Sequence, residues 1–522
     1  MFKSRKEKKI TLWTGVSYGL TDVMGGSSSA LIGAYLMFFY TTYAGLTAIE
    51  AASIFAASKL FDSVAVICMG NITDYFYRTK LGKKFGRRRF FLLVGSPLML
   101  IYGSLWVNGL NYWYYFWTFI IFDLLASMVL IPYETLPSEM TSDFSKRTIL
   151  SSTRMLLSGF SASICTIIGG GLIHIMGENN PNAYFVLGSS FAVIYMVFVF
   201  ITYLNTWERD LTAMMIAEQN KSKSSKHLST ADTFENIINI IKKYFSTFRV
   251  KAFRQHLMLY LFSVTAQDAI GAVFMYYIVF NMGASASLAS ALMSISIISV
   301  PLALLWGWLF VKIGPSNLLK LSYSTVILGV IGYYLIYLFH PANGSLITAL
   351  IIASVIFQVG KSLVYFIPWN VFPFIPDVDE IITGERREGL FAAVMTFLRK
   401  ATNGIAAIIV GICLQSSGFV KGAATQPEIV QHVISYILLF GCGGLTAIAL
   451  IVTFRFKLNT STHSILINEI QRLKNNGLKE DVDAKTKVAV ESLTGVKYER
   501  LWPIVDSKVN SITGNENVLN VE

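Results

Sequence analysis

Long apolar segments, separated by loops that are basic on one side only, constrain this chain more than any other feature. Each segment holds about 20 residues or more, enough to cross a bilayer core as a helix. They fall at about 14–43, 47–75, 90–109, 112–137, 149–175, 183–204, 257–282, 286–313, 317–339, 345–374, 389–415 and 430–454. That makes twelve, six on either side of a polar stretch. Backbone groups in lipid must pair internally, and these runs are too long for barrel strands, so all twelve are expected to be helices. A bundle of that size makes a pathway rather than an anchor.

The loops set the expected orientation. Lys3, Arg5, Lys6, Lys8 and Lys9 precede the first span, and the 2–3 loop carries Arg78, Lys80, Lys83, Lys84, Arg87, Arg88 and Arg89. Lys146 and Arg147 lie in the 4–5 loop, and on the other side Lys421 is almost the only basic residue. Basic loops stay in the cytoplasm, so an even number of spans places both termini there, with the chain in the plasma membrane. The net charge of +12 is mostly this bias; it points to contact with anionic membrane lipid rather than to nucleic acid. The first segment is too long and too aromatic for a cleavable signal peptide. Cys68, Cys165, Cys413 and Cys442 all lie in apolar segments and suggest neither a metal site nor a disulfide framework.

Four regions follow from this pattern: an N-terminal six-helix bundle (1–204), a cytoplasmic linker (205–256), a C-terminal six-helix bundle (257–454) and a cytoplasmic tail (455–522). The linker is polar around Lys221 to Lys226. Its later part has Phe234, Ile237, Ile238, Ile241 and Tyr244 at helical spacing, which predicts a short helix along the inner membrane face. The tail has an amphipathic piece from Ile465 to Leu473 and a block from Thr494 to Trp502, and is expected to dock under the bundle.

Several motifs are specific in order and spacing. Gly70 and Asp74 end the second span, followed by Arg78, Gly82 and Gly86-Arg87-Arg88-Arg89. The run from Tyr35 to Tyr40 closes the first span, and Ile131-Pro132-Tyr133-Glu134 begins the motif that closes the fourth. Arg147 and Arg154 come next, then Asp377-Val378-Asp379, Gly384 to Gly389 and Lys400. Together these resemble the glycoside–pentoside–hexuronide:cation symporters, the branch of the major facilitator superfamily that includes the melibiose permease. The resemblance runs from about Tyr18 to Trp502. It implies an all-α major facilitator fold, with two pseudo-symmetric six-helix bundles, a sugar site at the midplane and alternating access. It also implies cation-coupled import of a glycoside by a monomer with no bound cofactor. Asp74 with Arg87, Arg88 and Arg89 forms an expected gate that latches the bundles at the cytoplasmic face.

Ionisable groups inside a span cost roughly 2.5–3.5 kcal/mol each on insertion scales, so they face a cavity or a partner. Asp22, Lys59, Asp62, Asp123, Arg154, Asp268, Lys361, Arg399 and Lys400 all lie within spans. Lys59 and Asp62, spaced i,i+3, share one helix face. By the resemblance, Lys59, Asp62, Arg154 and Lys400 fall at sugar and cation positions, and Tyr365 near an aromatic that lines the cavity. Tyr133 and Trp369 are candidate stacking faces for a sugar ring. Pro368, Pro373 and Pro376 are expected to kink or break the tenth helix.

The departures bear on coupling. Where the permease has a second acid one turn after the first, this chain has Val66, preceded by Ala65 rather than an asparagine. Leu130 and Gly26 replace two further acids. Asp62 and the Ser127 hydroxyl supply too few oxygens for a sodium ion. A carboxylate out of water can instead carry a proton, because desolvation disfavours its charged form. Asp62 is the expected carrier, with Asp22 and Asp123 as alternatives. A neutral glycoside is the expected substrate and a hexuronide the alternative. An uncoupled facilitator, a carrier of lipid-like amphiphiles and a transporter-derived sensor also stay open. An enzyme is not expected: the six histidines are scattered, and Gly169-Gly170-Gly171 lies inside a span, where it reads as a helix-packing point.

Overall fold

The computed structural model describes residues 10–141, 143–208, 242, 244–385, 387–475 and 477–502. Twelve helices among them are long and apolar enough to cross a membrane. They are α1 Leu12–Thr42, α2 Ala48–Gly70, α3 Arg89–Trp106, α4 Tyr112–Met140, α5 Ile149–Met176 and α6 Pro181–Asn205. The second set is α7 Lys251–Asn281, α8 Ala286–Ile313, α9 Pro315–Phe339, α10 Gly344–Thr383, α11 Glu388–Ser416 and α12 Glu428–Thr453. No strand occurs among the described residues. Most of the expected inner-face helix before α7, with Phe234, Ile237, Ile238 and Ile241, lies outside them, as do the five basic residues of the N-terminus.

Local sequence explains where helices begin and end. The Thr47 hydroxyl accepts from Glu50 N while Glu50 accepts from Thr47 N, a capping box that starts α2. Asn111 caps α4 through Tyr114 N. Gly384, at φ 75°, ends α10 in the left-handed conformation. The prolines act as expected: α10 is α-helical to Val371, tightens to a 3-10 turn at Phe372–Phe374, and resumes over Ile375–Thr383. A π-turn interrupts α1 at Ile32–Leu36 and another ends α7 at Tyr277–Asn281.

Small residues set the close helix contacts. Within the first half, α1 lies against α5 at Gly19 and Gly26; a Cβ on Gly26 would collide with the Ser158 carbonyl oxygen. Within the second, α9 meets α10 where Gly329 faces Phe357 and Gly360 faces Val326. The seams between halves are built the same way. Gly411 of α11 meets Ala52 of α2, Gly404 meets Ala56, and Gly170 of α5 meets Ser290 of α8.

These seams cover only part of the membrane depth. The α2 helix runs on past its span to Tyr75; its first stretch buries Ala48, Ala51, Ala52, Ile54, Ala56 and Ser58, whereas Phe61, Val64, Ile72 and Tyr75 farther along are exposed. The hydrogen bonds that cross between halves among the described residues follow suit. Thr41 with Tyr276, Ser163 with Ser296, Glu178 with Ser287, and Lys421 with Gly45 all lie at mid-depth or toward the face opposite the basic loops. The halves therefore touch on that face and part toward the basic one.

The tail docks beneath the second half. Its helices α13 Thr460–Lys474 and α14 Ala484–Thr494 pack against the last segment of α10. His463 meets Asp377 at 2.8 Å, Lys474 meets Glu380 at 2.5 Å, and Trp502 N donates to Ile381 O. Glu469, buried between the tail helices, accepts a two-pronged bond from Arg472 and another from the Tyr498 hydroxyl. Burial and the Glu469 carboxylate push the Tyr498 phenol up to about 12. Arg387, in the loop after α10, donates from Nε and Nη2 to the two oxygens of Asp379, which holds its pKa above the usual value.

Candidate functional site

Ion pairs inside the spans gather where the halves part. Asp62 of α2 meets Lys400 of α11 at 2.5 Å. Lys59 of α2 meets Asp123 of α4 at 2.9 Å. Asp22 of α1 meets Arg154 of α5 at 2.8 Å. Asp268 of α7 and Arg399 of α11 form a fork of 2.7 and 2.8 Å. Only the first joins the two halves.

Helix periodicity builds the α2–α4 part. Lys59 and Asp62 are three residues apart on α2, and Asp123 and Ser127 are four apart on α4, so the two faces meet in register. Asp123 accepts from Lys59 and from the Ser58 hydroxyl. Asp62 accepts from the Ser127 hydroxyl as well as from Lys400. The shared face of Lys59 and Asp62 thus does not pair the two with each other. Each binds a partner on a different helix, which satisfies charges that would otherwise be costly in lipid.

Arg154 forms a second centre. Its Nε donates to Asp22 and its Nη2 to Glu134 at 2.7 Å. The guanidinium lies 5.5 Å from the Tyr133 ring centroid, and that ring stacks on Tyr18 at 4.6 Å. Tyr133 was a candidate stacking face for a sugar. The ring is 0% exposed and covered by Tyr18, so in this conformation it supports Arg154 instead of presenting a surface. Gly26, which replaces an acid of the family pattern, has no room for any side chain against Ser158.

The α10 wall carries Lys361, Tyr365 and Trp369 at i, i+4 and i+8, one stripe of a helix. Tyr365 is 44% and Trp369 50% exposed, so both rings keep uncovered surface. Trp369 meets Tyr260 of α7 edge-on at 6.1 Å. Lys361 has neither an ion pair nor a hydrogen bond among the described residues, unlike Lys59, Arg154, Arg399 and Lys400. The Gln267 amide, buried beside Asp268, has both polar atoms unpaired.

At the basic face, the arginine loop is held from within its own half. Glu208 accepts from the backbone N–H groups of Arg87, Arg88 and Arg89 at 2.9, 2.8 and 2.7 Å. Side chains of Arg87 and Arg88 meet Glu139 at 2.5 and 3.2 Å, and Arg89 donates to Tyr203 O. The Asp74 side chain lies outside the described residues. All the described partners of this expected gate belong to α4, α6 or the residues just after α6.

Sequence reasoning missed Ser58, Glu208 and Glu178. Ser58 could have been flagged as a hydroxyl beside an intramembrane lysine. Glu208 and Glu178 are loop acids whose partners lie far away in sequence, and no local pattern marks them.

A family model described as MFS/sugar transport protein matches residues 17–460. A glucuronide carrier protein homolog of Escherichia coli is 24% identical, over 88% of this chain and 96% of its own. An isoprimeverose transporter of Lactiplantibacillus pentosus is 23% identical, over 83% and 87%. Among solved structures, the inward-open xylose transporter of E. coli superposes with a TM-score of 0.58 at 14% identity, covering 86% of this chain and 97% of that one. At that identity the likeness shows the fold alone.

Proposed function

The chain belongs to the MFS/sugar transport family, and from that premise we propose that it moves a sugar or glycoside across the plasma membrane by proton symport with alternating access. It is a membrane transporter, not an enzyme. The observation that carries the coupling is the Asp62–Lys400 pair, because among the described residues it alone of the intramembrane ion pairs joins the moving halves.

The physics is as follows. Ionised Asp62 and Lys400 are neutral as a pair, which lets the empty carrier reorient. A proton on Asp62 breaks that neutrality and leaves the ammonium uncompensated in apolar surroundings. Sugar hydroxyls arriving beside Lys400 and Arg154 then solvate it, so the protonated, loaded carrier can close. Sodium fits less well. Asp62 already accepts from an ammonium and a hydroxyl. In this reading the basic loops and both termini are cytoplasmic, the cleft faces inward, and the chain works as a monomer in contact with membrane lipid.

A second reading makes the substrate anionic, such as a hexuronide. Lys361 favours it: an uncompensated cation beside two uncovered aromatic rings suits a carboxylate on a sugar ring. The glucuronide carrier homolog fits this reading and the isoprimeverose transporter fits a neutral glycoside.

The test is sugar-induced pH change in de-energised cells, across neutral glycosides and hexuronides. Alkalinisation of the medium on adding one sugar, lost in Asp62→Asn, supports proton symport and names the class. Labelled uptake of that sugar with no pH change overturns proton coupling.

A further inference from the structure

On the face opposite the basic loops, one carboxylate bridges the halves. Glu178 sits in the short α5–α6 connection and reaches the first turn of α8. Its Oε2 accepts from Ser287 N at 3.1 Å, and its Oε1 accepts from the Ser287 hydroxyl. Ser287 is held in turn by Ser285, whose hydroxyl caps α8 through Leu288 N at 3.1 Å. The other end of the bridge is equally fixed. The Tyr43 hydroxyl, just past α1, donates to the Glu178 carbonyl at 3.2 Å. Among the described residues no other carboxylate crosses between halves on this face. The remaining polar links there among the described residues are Thr41 with Tyr276, the Tyr276 hydroxyl with Met37 O, Gly422 N with Thr41 O, and Lys421 with the Gly45 carbonyl.

We propose that Glu178 is the latch that keeps the cleft shut on this face, and that Ser287 at the start of α8 is its keeper. The inference rests on the alternating-access reading. To open this face, α5 and α8 must separate, because Gly170 and Ser290 are packed so closely there that a Cβ on the glycine would lie 2.8 Å from Ser290 Cβ. Glu178 must then release Ser287. A carboxylate accepting two hydrogen bonds at a helix N-terminus is a strong link for its size, since charge and helix dipole both strengthen it. It is also a reversible one. The Glu178 side chain is already 31% exposed, so water replaces Ser287 when the halves part. A fully buried pair would not be exchanged so readily. Glu178 is therefore a positioning residue, which sets the balance between the two open forms without touching the substrate.

The test uses the full chain in membrane vesicles of both orientations, with the native cysteines replaced and Ser296→Cys introduced at the α5–α8 seam. An impermeant maleimide is applied to one face at a time. Glu178→Ala is expected to raise labelling from the Glu178 face about tenfold and lower it from the basic face, with Glu178→Gln intermediate. Ser287→Ala should act in the same direction, and the double variant should add little, because both remove one link. A purely structural role would slow neither face selectively. If sugar shifts labelling between faces in the parent while Glu178→Ala leaves it unchanged, the latch is wrong and alternating access stands. If neither sugar nor substitution shifts it, both fail.

Discussion

Lys400 and Asp62 lie in different halves of the molecule, yet their side chains meet at 2.5 Å, beside a Lys59–Asp123 pair that stays within one half. Helices α2 and α11 approach closely enough for this because Gly404, four residues after Lys400, packs against Ala56. The pair is thus placed by the same seam that brings the halves together.

Removing one partner should be worse than removing both. Lys400→Ala leaves the Asp62 carboxylate without its counter-ion and is expected to cut initial sugar uptake at least about tenfold. The double variant Asp62→Asn with Lys400→Ala should regain membrane abundance, though not accumulation. Equal abundance in the single and double variants would argue against this account of the pair.

Coupling and binding should separate at Asp62. Asp62→Asn is expected to keep sugar exchange between equal pools while losing uphill accumulation, because the amide cannot release a proton. Counterflow and energised uptake, measured on the same vesicles, check this; accumulation against a gradient in Asp62→Asn would sink it.

Lys361 should decide charge preference. If the substrate is anionic, Lys361→Ala should raise its KM about tenfold or more, which corresponds to about 1.4 kcal/mol. Competition by neutral glycosides should change little. An unchanged KM for every sugar acid tested would remove the anionic reading.

The α1–α5 contact should be intolerant of bulk. Gly26→Ala places a methyl against the Ser158 carbonyl, so the helices must shift, at a cost of roughly 1–3 kcal/mol. The expected result is a lower unfolding temperature in detergent, and Gly26→Asp should be worse. A thermally neutral Gly26→Asp would contradict the packing described.

The Tyr498–Glu469 bond within the tail should be insensitive to pH across the physiological range. The Tyr498 phenol titrates at about 12, above its ordinary 10. Its bond to Glu469 therefore contributes in full below pH 10 and is lost only as pH rises through 12. Tyr498→Phe should therefore loosen the tail, read as trypsin protection, by about 1 kcal/mol and to the same extent at about pH 6 and about pH 9. A Tyr498→Phe effect that changes within that range would contradict this account of the bond.

The sequence by itself determined the number of spans, because lipid demands about twenty apolar residues for each crossing and leaves the backbone no choice but helix. It also determined which charges needed partners, since Asp62, Lys59 and Lys400 lie in apolar runs, and it placed the break in α10 at its prolines. It did not determine the partners. Lys59 and Asp62 share a face, yet one pairs with Asp123 and the other with Lys400, more than 300 residues away. It offered Tyr133 as a stacking surface, although Tyr18 covers it. Glu178 looked like any loop acid until α8 was seen to start beside it. Periodicity reports what faces away from lipid on one helix. Which helix lies opposite, at what height, is fixed only when glycine seams such as Gly26 with Ser158 and Gly411 with Ala52 bring the backbones together.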